Sequence, residues 1–377
     1  MSPLAPVRAA GLVMRAAGHI VRDAGVVVRT AGLVLGAIGL LAACVAPPGE
    51  LQSRNPATAV APAPAPVAST TEGSVASSVA PSTAPGRPAA PSSAPTVFPA
   101  LPAGDSTNYV VLPEMRRSYT LHLPTGYDPA KAYPLLIVLH GRGGSGAGAR
   151  QWGFNQSADQ RGWVVIYPEA LAPDRSWSTS LGATSSTAHD VAYIAALMKD
   201  VRERIHLDPE RINAVGYSTG GSFAAHLAGA LRTTSIAAVV VVAGNIATRD
   251  SSGELVSVRL PTHPVAALFL HGRLDKAAPF EGGVSTLLGG ARAIPVYDGA
   301  RLWATSVGCD PDPALVRVGT IDQRRFVNCK RGVRVEMESH SGGHDWQRSL
   351  LFDPRRPTQT IDHIMDFLTH SRVTATN

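Results

Sequence analysis

The stretch RINAVGYSTGGSFAAHLAGAL, residues 211–231, admits few folds. Its first part has the β-branched and small residues of a strand buried on both faces, and its second part is alanine-rich and helical. Between them Gly216, Ser218 and Gly220 form a Gly-x-Ser-x-Gly pattern, with Gly221 adding room beside it. A strand that passes into a helix across so short a link has to turn sharply on the serine. Glycines are required there because a Cβ would collide with the neighbouring strand and helix. Such a turn projects a serine hydroxyl from the carboxyl edge of a sheet, so the rest of the chain is expected to supply that sheet and the groups that activate the hydroxyl.

From Asn108 onward, short apolar runs alternate with helical patterns. The strand candidates are RSYTLHLP, PLLIVLH, GWVVIYP, RINAVGYS, IAAVVVVAG, VAALFLHG and GVRVEMES, several of them apolar on both faces as buried parallel strands are. HDVAYIAALMKDVRERI places Ile194, Leu197, Met198, Val201 and Ile205 on one helical face, with Asp190 positioned to cap its start. The helix after Ser218 and the C-terminal TIDHIMDFLTH fit the same scheme. Residues 108–377 therefore read as one α/β domain on a mostly parallel central sheet with helices on both faces.

The preceding residues read differently. Residues 44–107 are nearly all Ala, Pro, Ser, Thr and Val, with too few large apolar side chains to offset the entropy of ordering, and read as a disordered tether. Before them, TAGLVLGAIGLLAAC is too short for a comfortable membrane span but suits the apolar region of a secretory signal, preceded by Arg8, Arg15, Arg22 and Arg29. Its ending, LLAAC, resembles a bacterial lipobox. Residues 1–43 are thus expected to be a lipoprotein signal peptide and Cys44 the lipidated residue, anchoring the protein on the outer side of the bacterial cell membrane.

The net charge of +6 falls to +3 once the four arginines and Asp23 of residues 1–43 are set aside, and no basic stretch carries the aromatic interleaving of a base-stacking platform. Nucleic acid is not an expected partner, and the protein is expected to be a monomer. With Cys44 assigned to lipid, Cys309 and Cys329 remain as a pair in a chain expected to meet an oxidising compartment, where they read as a disulfide, with two free thiols or a metal site as the alternatives. Closing such a loop stabilises by about 3 kcal/mol in the chain-entropy model. No further Cys or His falls at zinc-ligand spacing, so no metal is expected.

A serine hydroxyl needs an imidazole held by a carboxylate, delivered in this kind of fold in the chain order Ser, Asp, His. VAALFLHGRLD runs from a strand straight into Asp275, and HSGGHDWQ offers His344 after two glycines that let a loop bend back, with His340 as its competitor. Asp345, next to His344 in sequence, is badly placed to serve as the acid. The oxyanion hole is expected from the backbone amides of Thr219 and Arg142, with Gly143 the alternative to Arg142. His140 and His271, each in a strand-ending HG pair, read as structural. Trp177, Trp303 and Trp346 read equally as cleft walls and as packing.

The set LHGRGG, GWVVIYPEA, DVAYI, RINAVGYSTGG, LHGRLD, LWATSVGC and GGHDW resembles the polyhydroxybutyrate depolymerase and feruloyl esterase group of secreted α/β-hydrolases, over residues 110–370. The resemblance implies an α/β-hydrolase fold and ester hydrolysis through an acyl-enzyme, with water as the second acceptor and no cofactor. It puts Ser218, Asp275 and His344 on the family's nucleophile, acid and base, and Cys309 with Cys329 on its disulfide. Arg142, Asp345 and Gln347 depart from the family's pattern. The reading is a lipid-anchored serine ester hydrolase acting on short-chain or hydroxyalkanoate esters. The alternatives are a feruloyl or acetyl-xylan type esterase and, from other classes, a non-catalytic envelope binding protein or a serine peptidase.

Overall fold

The computed structural model describes residues 97–171, 173–179, 181, 187–231, 234–318, 321–346 and 358–372. The expected signal peptide, Cys44 and most of the expected tether lie outside them, as does Gln347. The first half of the described chain contains β1 (Gly104–Leu112), β2 (Met115–Leu123), β3 (Tyr133–Leu139), α1 (Gly146–Arg150), α2 (Phe154–Arg161), β4 (Val164–Pro168), α3 (Thr187–Arg204), β5 (Leu207–Tyr217) and α4 (Thr219–Ala230). After it come β6 (Ala238–Val242), β7 (Ala247–Arg249), β8 (Leu255–Ser257), β9 (Ala266–Gly272), β10 (Gly283–Val284), β11 (Arg292–Ala293), α5 (Val296–Ser306), β12 (Ala314–Val318), β13 (Ile321–Phe326), β14 (Val335–His340) and α6 (Thr358–Thr369).

All seven runs expected to be strands are strands of one ten-stranded sheet, ordered β1-β2-β4-β3-β5-β6-β9-β14-β13-β12. From β4 to β14 every neighbouring pair is parallel, and an antiparallel pair closes each end. Alternation along β3 shows how the core divides. Leu135, Ile137 and Leu139 pack with α3, α4 and α5 on one face, while Leu136 and Val138 pack with α2 and α6 on the other. Two apolar faces on one strand are what a sheet covered on both sides requires.

The face of α3 is as its periodicity implies, with Ile194, Leu197, Met198, Val201 and Ile205 all buried. Each such side chain adds about 1.5–3 kcal/mol relative to exposure. Asp190 does not cap the helix, which begins at Thr187. Its buried carboxylate instead accepts from Arg117 Nη1 at 2.7 Å and from the Ser178 amide at 2.9 Å. A buried arginine outcompetes a local cap, since an unpaired buried cation would be very costly.

Two features differ from expectation. The ordered strand begins at Gly104, inside the stretch 44–107 read as tether. Gly104 pairs with Leu123, and Asp105 accepts from Asn155 Nδ2 at 3.0 Å, pairs with His122 Nδ1 at 2.8 Å and contacts Arg150. GDST has no apolar alternation, so backbone pairing and one anchored carboxylate order it. A second sheet, β10-β11-β7-β8, is made of strands of two or three residues, too short for a period of two to register.

Candidate active site

Ser218 sits between β5 and α4 at φ 60° and ψ −125°, a left-handed conformation costly for a residue with a Cβ. Its surroundings impose it. A Cβ on Gly216 would lie 2.1 Å from the Gly220 carbonyl oxygen, and one on Gly220 would lie 2.4 Å from the carbonyl oxygens of Leu139 and His140. The Ser218 amide donates to Val242 O at the end of β6 (2.8 Å). The strained turn is thus wedged among the carboxyl ends of β3 and β6.

Strand order then brings the partners in. Asp275 follows β9 and His344 follows β14, two neighbouring parallel strands. Two backbone bonds extend their pairing past the strand ends, Arg273 N to His340 O (2.8 Å) and Leu274 N to Gly342 O (2.9 Å). A Cβ on Gly272 would lie 2.3 Å from Gly342 O, so the loop after β14 presses directly on the end of β9. His344 Nε2 lies 2.9 Å from Ser218 Oγ, and His344 Nδ1 lies 2.7 Å from Asp275 Oδ2. The structure brings the three residues together in one hydrogen-bonded line.

Asp275 is buried. Burial alone would raise its pKa, but hydrogen bonds from His271, His344 and the Ala278 amide hold it well below the usual carboxylate range. The amides of Ala277 and Ala278 both donate to Oδ1 at 2.8 Å. An ionised, aimed carboxylate is what holds an imidazole in the Nδ1–H tautomer, leaving Nε2 to accept the serine proton.

His340 is not part of this hydrogen-bonded line. It is buried, and its Nδ1 accepts from the Gly342 amide at 2.9 Å, shaping the turn that carries His344. Burial, with His271 and Arg273 nearby, pushes its pKa down to about 4, so it stays neutral. His140 likewise ties structure together: Nδ1 meets Gly141 O at 2.8 Å and Nε2 accepts from the Ala170 amide at 3.2 Å. His271, read from sequence as structural, contacts Asp275 itself, with Nε2 3.3 Å from Oδ2. The strand-ending HG pair alone does not separate it from His140.

The loop after β3 covers the serine, since a Cβ on Gly141 would lie 3.1 Å from Ser218 Cβ. The Gly143 amide is taken by the carbonyls of Asp174 (3.0 Å) and Arg175 (3.2 Å). Among the described residues, the amides of Arg142 and Thr219 have no backbone acceptor. Beside them opens a cavity of about 460 Å³, walled by Trp177, Leu181, Val256, Leu287 and Leu288, with the Thr219 and Ser222 turn of α4 at its floor. The Arg142 side chain spans to Leu287 O at 2.7 Å.

The tryptophans divide. Trp303 is core, its Nε1 donating to Val265 O at 3.1 Å. Trp177 is a cavity wall, stacked on Phe223 and donating to His140 O at 2.8 Å. Trp346 stacks on Trp152, ring centroids 4.1 Å apart, and both meet the ring of Tyr217, whose other neighbour is His344 at 5.2 Å. Cys309 and Cys329 are joined by a disulfide.

Residues 134–267 match the family model described as the alpha/beta hydrolase fold. The putative esterase NocK of Nocardia uniformis subsp. tsuyamanensis is 30% identical over 305 residues, covering 72% of this chain and 84% of its own length. Feruloyl esterase C of Emericella nidulans is 28% identical over 239 residues, covering 61% of this chain and 76% of its own. Among solved structures, acetyl xylan esterase from Aspergillus awamori superposes with a TM-score of 0.50 at 14% identity, over 70% of this chain and 99% of that one, and so shares the fold. The sheet order, the turn at Ser218 and these relatives lead to one assignment: the chain belongs to the α/β-hydrolase family and is an ester hydrolase.

Proposed function

We propose that Ser218 is the nucleophile, His344 the general base and Asp275 its orienting acid, in hydrolysis that proceeds through an acyl-enzyme. The hydrogen-bonded line from Ser218 Oγ through His344 to Asp275, 2.9 and 2.7 Å, carries the reading. Ser218 Oγ attacks the ester carbonyl while His344 Nε2 takes its proton. The oxyanion forms against the amides of Thr219 and Arg142, which stabilise charge present only after attack. The tetrahedral intermediate collapses, His344 returns the proton to the departing alcohol, and the acyl group remains on Ser218. A water deprotonated by His344 then attacks the acyl carbonyl and releases the carboxylic acid, restoring the serine.

The acyl group occupies the cavity beside Thr219. The substrates proposed are soluble esters of short-chain acids, hydroxyalkanoates included. One observation favours a second reading, a hydroxycinnamoyl ester: Trp177 forms a flat wall of a cavity large enough for an aromatic ring, and a relative is named a feruloyl esterase. A panel of p-nitrophenyl esters from acetate to palmitate, methyl ferulate and soluble 3-hydroxybutyrate oligomers separates the two. Turnover lost in Ser218→Ala supports the mechanism; no wild-type turnover on any of them sinks it.

Lipid attachment at Cys44 and standing off the bacterial membrane on a tether belong to the same proposal, supported by LLAAC and the composition of residues 44–107. A flexible tether of about 60 residues would span roughly 45 Å root-mean-square. Release of a Cys44→Ala variant from the membrane fraction is the expected outcome; an unchanged distribution removes the anchor.

A further inference from the structure

His271 is the buried titratable group that touches the proposed machinery without a part in the mechanism above. It is the penultimate residue of β9, 1% exposed, and its Nε2 faces two acceptors: Ala278 O at 2.8 Å and Asp275 Oδ2 at 3.3 Å. With acceptors on both sides, Nε2 has to carry the proton, which fixes the tautomer. Ala278 closes the circuit, because its own amide donates to Asp275 Oδ1 at 2.8 Å. The turn from Asp275 to Ala278 is therefore stapled from within by one imidazole.

We propose, resting on the ester-hydrolase reading, that His271 is a positioning residue for the acid, whose Nε2–H shares Asp275 Oδ2 with His344 and thereby sets how basic His344 is. Oδ2 then serves two imidazoles, His344 Nδ1 at 2.7 Å and His271 Nε2 at 3.3 Å. A carboxylate oxygen that accepts a second donor has less charge to place on the first. Removing that donor concentrates the carboxylate on His344, stabilises its protonated form and raises the pH at which it becomes a free base. The other ionisable groups facing this cluster are His340 and Arg273 from the ends of β14 and β9, Tyr217 from the elbow, and Asp345 beside His344. All of them remain when His271 alone is changed.

Two substitutions separate this role from packing. His271→Gln puts an amide N–H where Nε2 lies, whereas His271→Asn puts its amide where Nδ1 lies and withdraws the donor from Asp275. The readout is the pH dependence of kcat/KM on p-nitrophenyl acetate and of Ser218 phosphonylation by a fluorophosphonate, which needs no natural substrate, using the full chain. The Asn variant is expected to lose about tenfold in kcat with KM little changed, and its acid limb to move up by about half a pH unit. The Gln variant is expected to keep the wild-type limb. An unmoved limb in the Asn variant, or equal movement in both, overturns the proposal and leaves His271 a packing residue. Histidine 15N spectra of the wild type test it without any variant: an Nε2–H tautomer for His271 is expected, and an Nδ1–H tautomer overturns it. Wild-type protein that neither turns over nor reacts with the phosphonate points instead to failure of the hydrolase reading.

Discussion

At the elbow between β5 and α4 the backbone leaves no alternative: Gly216 and Gly220 pack against carbonyl oxygens with no space for a methyl, and Ser218 is forced to positive φ. At the loop that carries His344, side chains hold the imidazole. Asp275 binds one ring nitrogen, His340 Nδ1 receives the turn's amide, and the Tyr217 ring packs against the imidazole. A Cβ on Gly343 of this loop would come no nearer than 3.6 Å to another atom, Leu274 O. Ser218 is thus fixed by steric exclusion that no change of pH relieves. His344 is held by hydrogen bonds and titratable groups, so its placement depends on protonation.

That contrast can be broken or sharpened by experiment. Ser218→Ala should lower kcat/KM by about 10⁴-fold or more while leaving the urea midpoint unchanged, because alanine accepts the same imposed backbone; a large loss of stability would show that the hydroxyl itself holds the turn. Gly216→Ala should cost more than about 4 kcal/mol, read as loss of soluble folded protein, since the obstruction is backbone and cannot rotate away.

In the base loop the expected effect is one of pH. His340 titrates near 4 in the fold against an ordinary value of 6.5, so the unfolded chain binds the proton first. The stability it contributes is complete above pH 6.5 and is lost as pH falls towards 4, by up to roughly 3 kcal/mol. A His340→Gln variant should flatten urea stability between pH 7 and 4, and an unchanged slope would contradict this. At the elbow the neighbouring Tyr217 is pushed up to about 12 by burial and by Asp345 and Asp275, outside that range. His363 has the opposite sign. Burial lowers its pKa, but Glu338 overrides this and raises it, so its pairing is present below pH 6.5 and lost as pH rises through the raised value. Smallest of all, Gly343→Ala should change stability by less than about 1 kcal/mol, and a collapse of folding there would mean the base loop is as crowded as the elbow.

Much of this was legible because buried parallel strands announce themselves. PLLIVLH, IAAVVVVAG and VAALFLHG need apolar residues on both faces, and Gly-x-Ser-x-Gly marks one turn among them. The order Ser218, Asp275, His344 then follows from strand ends. What was not legible was set by contacts between residues far apart in the chain. Asp190 meets Arg117 rather than capping its helix, GDST joins the sheet through backbone pairing and Asp105, and the cavity wall is gathered from a connecting segment (Trp177, Leu181), a single 3-10 turn (Leu287, Leu288) and the three-residue β8 (Val256), none of which carries a period. His271 and His140 share the same local HG pattern, and only the turn from Asp275 to Ala278 sets one of them against Asp275.

The loop over the serine is fastened on both sides of the cavity, by the Gly143 amide to the carbonyls of Asp174 and Arg175 and by the Arg142 guanidinium to Leu287 O. Whatever fills the cavity leans on the same walls that aim the Arg142 amide. An acid of unsuitable girth would then be admitted and held but slowly processed, so discrimination among substrates would register in turnover more than in saturation. In a homologous series of esters, kcat should fall away from the optimum length faster than KM rises, giving an enzyme that is choosy about pace and lenient about entry.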